Sequence, residues 1–196
     1  ARGGIVDRRG EVLARSEGSS APWDPSAEDA HRRYARDDAF GPLLGYRSPV
    51  LGSAGLERSQ DALLHGSIAP RGILQAAALA LGGDPRGSDL VLTVDARLQR
   101  KAYEALAGRR GAVVILDPRN GEILALVSSP GFSSDLVEKQ WSRLIRHPAS
   151  PLLQRAVDGT YPPGSVLKPA VVAMALDRKV LNGHETLSCP GYVEVN

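Results

Sequence analysis

The stretch Tyr161-Pro162-Pro163-Gly164-Ser165-Val166-Leu167-Lys168 constrains this chain more than any other. Pro162, Pro163 and Gly164 end any helix that precedes them. The run that follows, Val166 to Leu176, is apolar almost all round, which predicts a buried helix. Pro169 fits that helix only if it begins near Ser165, because first-turn N–H groups have no intrahelical partner to lose. Ser165 and Lys168 then lie three apart on one face. At a helix N-terminus the exposed N–H groups and the dipole favour developing negative charge. A hydroxyl beside a neutral amine at such a place is a nucleophile and base for acyl transfer that needs no histidine.

A Ser-x-x-Lys spacing alone is common by chance, and its plain alternative is an ordinary helix start with Ser as cap and Lys in water. Two features argue for chemistry. Only four of the 24 basic residues are Lys, so a Lys here is not casual. The Pro-Pro-Gly turn and the apolar helix also supply the structural context that the motif needs.

With these residues in view, the segment resembles the active-site motif of the penicillin-binding proteins, the serine D,D-transpeptidases of peptidoglycan synthesis. The likeness runs along nearly the whole chain. Arg2-Gly3-Gly4-Ile5-Val6-Asp7-Arg8-Arg9-Gly10 resembles the segment after the membrane anchor of class B members. Gly55-Leu56-Glu57 resembles their Gly-Leu-Glu motif, Leu92-Thr93-Val94-Asp95 with Leu98-Gln99 the entry to the transpeptidase domain, and Gly111 through Ala125 its first hairpin. The short N-terminal region is similar to a small actinobacterial-type subgroup. The resemblance implies an α+β fold in which residues 1–88 form a non-catalytic, dimerisation-like pedestal. Residues 89–196 would be the first part of the transpeptidase domain, an antiparallel sheet with flanking helices and a helical lobe. Ser165 would be the nucleophile and Lys168 the base. Peptidoglycan stem peptides and β-lactams would be the ligands, a membrane glycosyltransferase the partner, and the outer face of the cell membrane the location. The roles implied are in cell shape or cell division.

Composition narrows the alternatives. A net charge of +2, with no basic cluster alternating with aromatics, argues against nucleic acid. One Cys excludes an internal disulfide and a Cys-based metal site, and Cys189 reads as a free, buried thiol. His31, His65, His147 and His184 have no ligand spacing, so neither metal nor cofactor is expected. No stretch is long enough for a transmembrane helix. The chain opens at Ala1-Arg2-Gly3 without an initiator Met, which reads as a protein separated from its N-terminal anchor.

Local patterns give the expected elements. Residues 1–15 read as extended with a turn at Arg9-Gly10, and residues 26–36 as a short helix. The charge run His31, Arg32, Arg33 and Arg36 reads as a solvated face. Leu56–Leu64 reads as helix with Leu56, Leu63 and Leu64 inward, and Gly82–Ser88 as a linker. Asp89–Val94 reads as strand, with Asp95 capping a helix to Ala107 whose apolar face is Leu98, Ala102, Ala105 and Leu106. Val113–Leu116 and Ile123–Val127 read as a hairpin around Asn120-Gly121. Glu138–Ile145 reads as a helix carrying Trp141, Leu144 and Ile145.

The expected site is incomplete. The family adds a Ser-x-Asn motif and then a Lys-Thr/Ser-Gly motif, and neither follows Ser165 here. The chain therefore reads as an N-terminal portion carrying half of a site, its counterpart the missing C-terminal half of the domain. Val166 and Leu167 stand where the family has Thr and an aromatic, and both are expected to point into packing. Ser133-Ser134-Asp135 departs from the family's Asp-Pro-Asn. The competing reading is a non-enzymatic cell-wall interaction module, a degenerate half-domain. A half-sheet in either case predicts an apolar edge and face left open.

Overall fold

Ile5–Val6 (β1) turns back on Val12–Glu17 (β2) through a tight connection in which Gly10 takes a φ of +85°. The computed structural model describes residues 2–17, 31–35, 37–66, 87–184, 186 and 191. His31–Tyr34 (β3) pairs antiparallel with β2, Ala14 opposite Tyr34 and Glu17 opposite His31. The helix expected over 26–36 is thus a strand over its described part. The cause is alternation: Tyr34 is buried, Arg33 and His31 face outward, and Arg32 turns in. The first half of that span lies outside the described residues, as do Cys189 and most of the linker at 82–88.

Next come Gly41–Leu44 (α1), a small hairpin of Arg47–Ser48 (β4) and Gly52–Ser53 (β5), and two short helices, Gly55–Ser59 (α2) and Asp61–His65 (α3). Leu64 is fully buried as expected, while Leu56 packs only partly. Leu90–Val91 (β6) then adds to β1 in parallel and completes a four-stranded sheet of order β3-β2-β1-β6. The strand expected from 89 to 94 is shorter because the chain leaves the sheet: Asp95 N–H donates to Leu124 O at 2.9 Å.

Asp95 caps Ala96–Ala105 (α4), its carboxylate accepting from the N–H groups of Arg97 and Leu98. The face that this helix buries is Ala96, Gln99 and Ala102, not the leucine face expected, and Ala105 is exposed. Gln99 explains the rotation. Its fully buried amide donates to Ala39 O and Leu126 O at 2.9 Å each and accepts from Leu126 N–H at 2.8 Å, so every polar group it buries is met. Gly111–Leu116 (β7) and Ile123–Ser129 (β8) form the expected hairpin. Val137–Arg146 (α5) and Arg155–Asp158 (α6) follow, then Lys168–Asp177 (α7).

The molecule is α+β and divides into two units, residues 1–159 and 160–196. The first holds two cores. One gathers Ile5, Leu13, Tyr34, Phe40, Leu44, Leu64 and Ala96, drawing on residues either side of position 88. The other stacks Tyr46 edge-on against Phe132 at 6.5 Å and Trp141 at 6.0 Å, over Val137 and Leu144. Two glycines let the backbones between them touch. A Cβ on Gly41 would stand 1.8 Å from Phe132 O, and one on Gly131 would stand 1.9 Å from Asp38 O. The outward face of β7 carries exposed Val114 and Leu116, with Ile123 beside them. Among the described residues, these three form an exposed apolar patch on the hairpin.

Asp7 and Asp95 tie the first turn to α4, and both titrate low. Burial pushes the Asp7 carboxyl up, but N–H groups of Ala96, Glu11 and Arg9 outweigh it and leave it below its ordinary value. The Arg9 guanidinium at 2.7 Å brings Asp95 down from 3.8 to about 2, against some desolvation and with help from Arg97 and Leu98. A depressed carboxyl stabilises the fold above its unfolded pKa, and that contribution is lost as pH falls through the folded value. Stability is therefore expected to be full near neutrality and to fall between about pH 4 and about pH 2. Asp95→Asn keeps a helix cap but removes the charge. Urea midpoints measured against pH should fall less steeply over that window in the variant, whereas an unchanged slope would exclude Asp95 as a source of the acid limb.

Candidate active site

Unit 160–196 is built around the Ser165 turn. Gly164 takes a φ of +53°, with open space where a Cβ would sit, and starts a tight helical turn, Gly164–Leu167. The α-helix proper begins at Lys168, with Pro169 in its first turn, where no hydrogen bond is lost. The predicted helix start at Ser165 is thus a single 3₁₀ turn leading into α7. This tightening matters for chemistry. A 3₁₀ turn has three residues per turn, so positions i and i+3 eclipse. The N–H of Lys168 donates to Ser165 O, which closes that turn. The backbone therefore brings Ser165 and Lys168 one above the other, as the sequence predicted. Among the described residues no hydrogen bond joins their side chains, and both are exposed.

The helix expected to be buried is not. Val166 is 81% exposed, and Leu167, Val171, Val172, Met174 and Leu176 are exposed as well. Val166 and Leu167 do not point into packing. The helix is apolar all round, so it carries no polar face to turn to water.

Within unit 1–159, buried polar clusters hold the segments that lead towards this turn in sequence. Ser128 Oγ at the end of β8 donates to Leu153 O at 3.0 Å and accepts from Arg155 N–H at 3.0 Å. The buried Arg155 guanidinium then donates to Ser150 O at 3.0 Å, to Leu153 O at 3.4 Å and to Ala149 O. Two contacts through Ser128 so tie residues 149–155 to the hairpin, and the three from the Arg155 guanidinium hold that segment's own turns together. Nothing local in the sequence marks these residues, since their partners are backbone carbonyls.

A second cluster sits under the sheet. Glu57, fully buried, accepts from Arg2 Nε at 2.8 Å and from Arg32 Nε at 2.7 Å. Arg2 also bonds Asp61 at 2.7 Å and Glu57 O at 2.8 Å, and Arg32 bonds Gly3 O at 2.8 Å. The solvated face expected for His31-Arg32-Arg33 is therefore corrected at Arg32, which is a buried ion-pair partner. No group of three or more His, Cys, Asp or Glu comes together to hold a metal among the described residues, and none of their helices is long and apolar enough to cross a membrane.

Two protein families match, and together they take in most of the chain. Residues 2–90 match the penicillin binding protein A dimerisation domain, and residues 111–196 match the penicillin binding protein transpeptidase domain. The peptidoglycan D,D-transpeptidase MrdA of Acinetobacter baumannii is 36% identical over 190 residues, covering 82% of this chain and 28% of its own length. The peptidoglycan D,D-transpeptidase PbpA of Mycobacterium tuberculosis is 35% identical over 178 residues, covering 82% of this chain and 36% of its own. The structure of penicillin-binding protein A from M. tuberculosis as a penicillin G acyl-enzyme complex superposes with a TM-score of 0.74 at 35% identity, over 90% of this chain and 42% of that one. The chain spans about a third of the length of the curated relatives it matches.

Proposed function

The chain belongs to the class B penicillin-binding proteins, and on that premise we propose that its protein is a peptidoglycan-cross-linking D,D-transpeptidase acylated on Ser165. The observation that carries the proposal is the Gly164–Leu167 turn, which stacks Lys168 over Ser165 within the segment that matches a transpeptidase domain. In the reaction, Lys168 Nζ takes the proton as Ser165 Oγ attacks a stem-peptide carbonyl. The C–N bond breaks, the leaving amine takes a proton, and the acyl group stays on Ser165. An acceptor amine then attacks the ester, forms the new amide and returns the proton to Ser165. A β-lactam enters the same path. Its ring opens at the C–N bond, but the leaving nitrogen stays tethered, so the ester persists.

Because peptidoglycan lies outside the cytoplasm, the proposed location is the outer face of the cell membrane. The cross-linking joins glycan strands that a membrane glycosyltransferase polymerises, so such an enzyme is the proposed partner. Incubating the whole protein with penicillin G tests the reading by intact mass. One covalent equivalent per chain is expected. No adduct at saturating drug would instead support a non-enzymatic interaction module.

A further inference from the structure

The seam held together by Gly131 opens on one side into a cavity of about 180 Å³. It lies within unit 1–159 and is lined by Asp38, Tyr103, Phe132, Gln140, Arg143 and His147 among others. The volume is below that of drug-sized sites, which run from about 300 Å³ upwards, so it suits a small molecule or one end of a longer one. Its charges are arranged unusually. Asp38 and Arg143 both line the cavity, yet they form no ion pair with each other. Neither side chain has a hydrogen-bond or ion-pair partner among the described residues. Most other arginines of this unit that approach a carboxylate close on it, as Arg2, Arg9, Arg32 and Arg100 do.

Two further lining groups, Tyr103 and His147, are donors with spare capacity. Tyr103 Oη accepts from Gly131 N–H at 3.2 Å, which leaves its own proton to give. His147 Nδ1 accepts from Ala149 N–H at 3.1 Å, so the neutral ring carries its proton on Nε2. Desolvation and the neighbouring Asp37 push the Asp38 carboxyl up, against the pull of Arg143. A cation brought close to Asp38 would relieve that cost.

We propose that this cavity binds an α-amino-acid centre, its ammonium on Asp38 and its carboxylate on Arg143 with the Tyr103 and His147 donors beside it. Such a centre carries both charges on one small group, so a single ligand can meet both side chains, neither of which has another partner among the described residues. Bidentate Arg–carboxylate pairing supplies the geometric selectivity. The centre is either free or displayed at the end of a longer chain, and the two sources differ in whether a tail helps.

Calorimetric titration of the whole protein tests this with alanine, N-acetylalanine and alaninamide. Alanine should bind, and either blocked form should bind at least about tenfold more weakly, since each has lost one charge-assisted contact. Asp38→Asn and Arg143→Gln should each weaken alanine by a similar factor. Both side chains are exposed, so neither change threatens the fold. Nε-acetyl-lysine carries the same centre on a tail. Tighter binding than alanine identifies a displayed centre, and weaker binding a free one. Saturating the protein with penicillin should leave all of these affinities unchanged, which separates this cavity from the Ser165 site. Absence of alanine binding at tens of millimolar, or binding indifferent to both substitutions, overturns the proposal.

Discussion

Lys168→Arg in the whole protein is expected to slow penicillin acylation by about two to four orders of magnitude, the range that a positioned acid–base group contributes. The turn at Gly164–Leu167 sets position 168 one turn on from Ser165, on the same face, so this side chain is the candidate for the hydroxyl's proton. Arginine keeps the positive charge and most of the length, but it stays protonated at any working pH and cannot act as a base. The substitution therefore separates proton transfer from charge and packing. Because Lys168 is exposed, the variant should fold and melt like the parent. Rates with a fluorescent penicillin give the comparison. An undiminished rate would make Lys168 structural and place the base elsewhere.

The second large effect is on stability. Glu57→Gln removes the carboxylate that balances Arg2 and Arg32 beneath the sheet, leaving two buried guanidinium groups short of a counter-charge. Breaking a buried ion pair from one side costs about 3–5 kcal/mol. For a unit of this size that corresponds to a fall in Tm of about 10 °C. Asp61 still faces Arg2 but is half exposed, and Arg32 keeps only neutral acceptors, Gly3 O and Ser16 Oγ. Adding Arg32→Met to Glu57→Gln should recover part of the loss, because it removes the orphaned charge along with its partner. Thermal melts of the single and double variants decide this. A single-variant loss under about 1 kcal/mol would show that water reaches the cluster and screens it.

What the sequence made legible was local. The hairpin turn announces itself at Asn120-Gly121, and Gly121 takes the positive φ that such a turn requires, +76°. Asp95 caps its helix as its position before an apolar periodicity predicted. The Ser165 turn is likewise written in adjacent residues, Pro163 and Gly164. What stayed hidden depends on partners far along the chain. Arg32 looked solvated because its charge balance comes from Glu57, 25 residues on. Gln99 has no place in an apolar-face reading of its helix, because the carbonyls it satisfies belong to Ala39 and Leu126. Strand β3 looked helical because four polar-rich residues carry little periodicity until β2 lies beside them. The exposed apolar helix behind Ser165 teaches the converse: a sequence can demand burial in residues whose cover is not adjacent in the chain.

The central claim is that Ser165 is the acylated nucleophile, and locating the penicillin adduct tests it most directly. The whole protein is labelled, digested, and its modified peptide sequenced by mass spectrometry, with Ser165→Ala treated in parallel. The account predicts a single adduct on Ser165 and none on the variant. An adduct on any other serine, or undiminished labelling of Ser165→Ala, would contradict it.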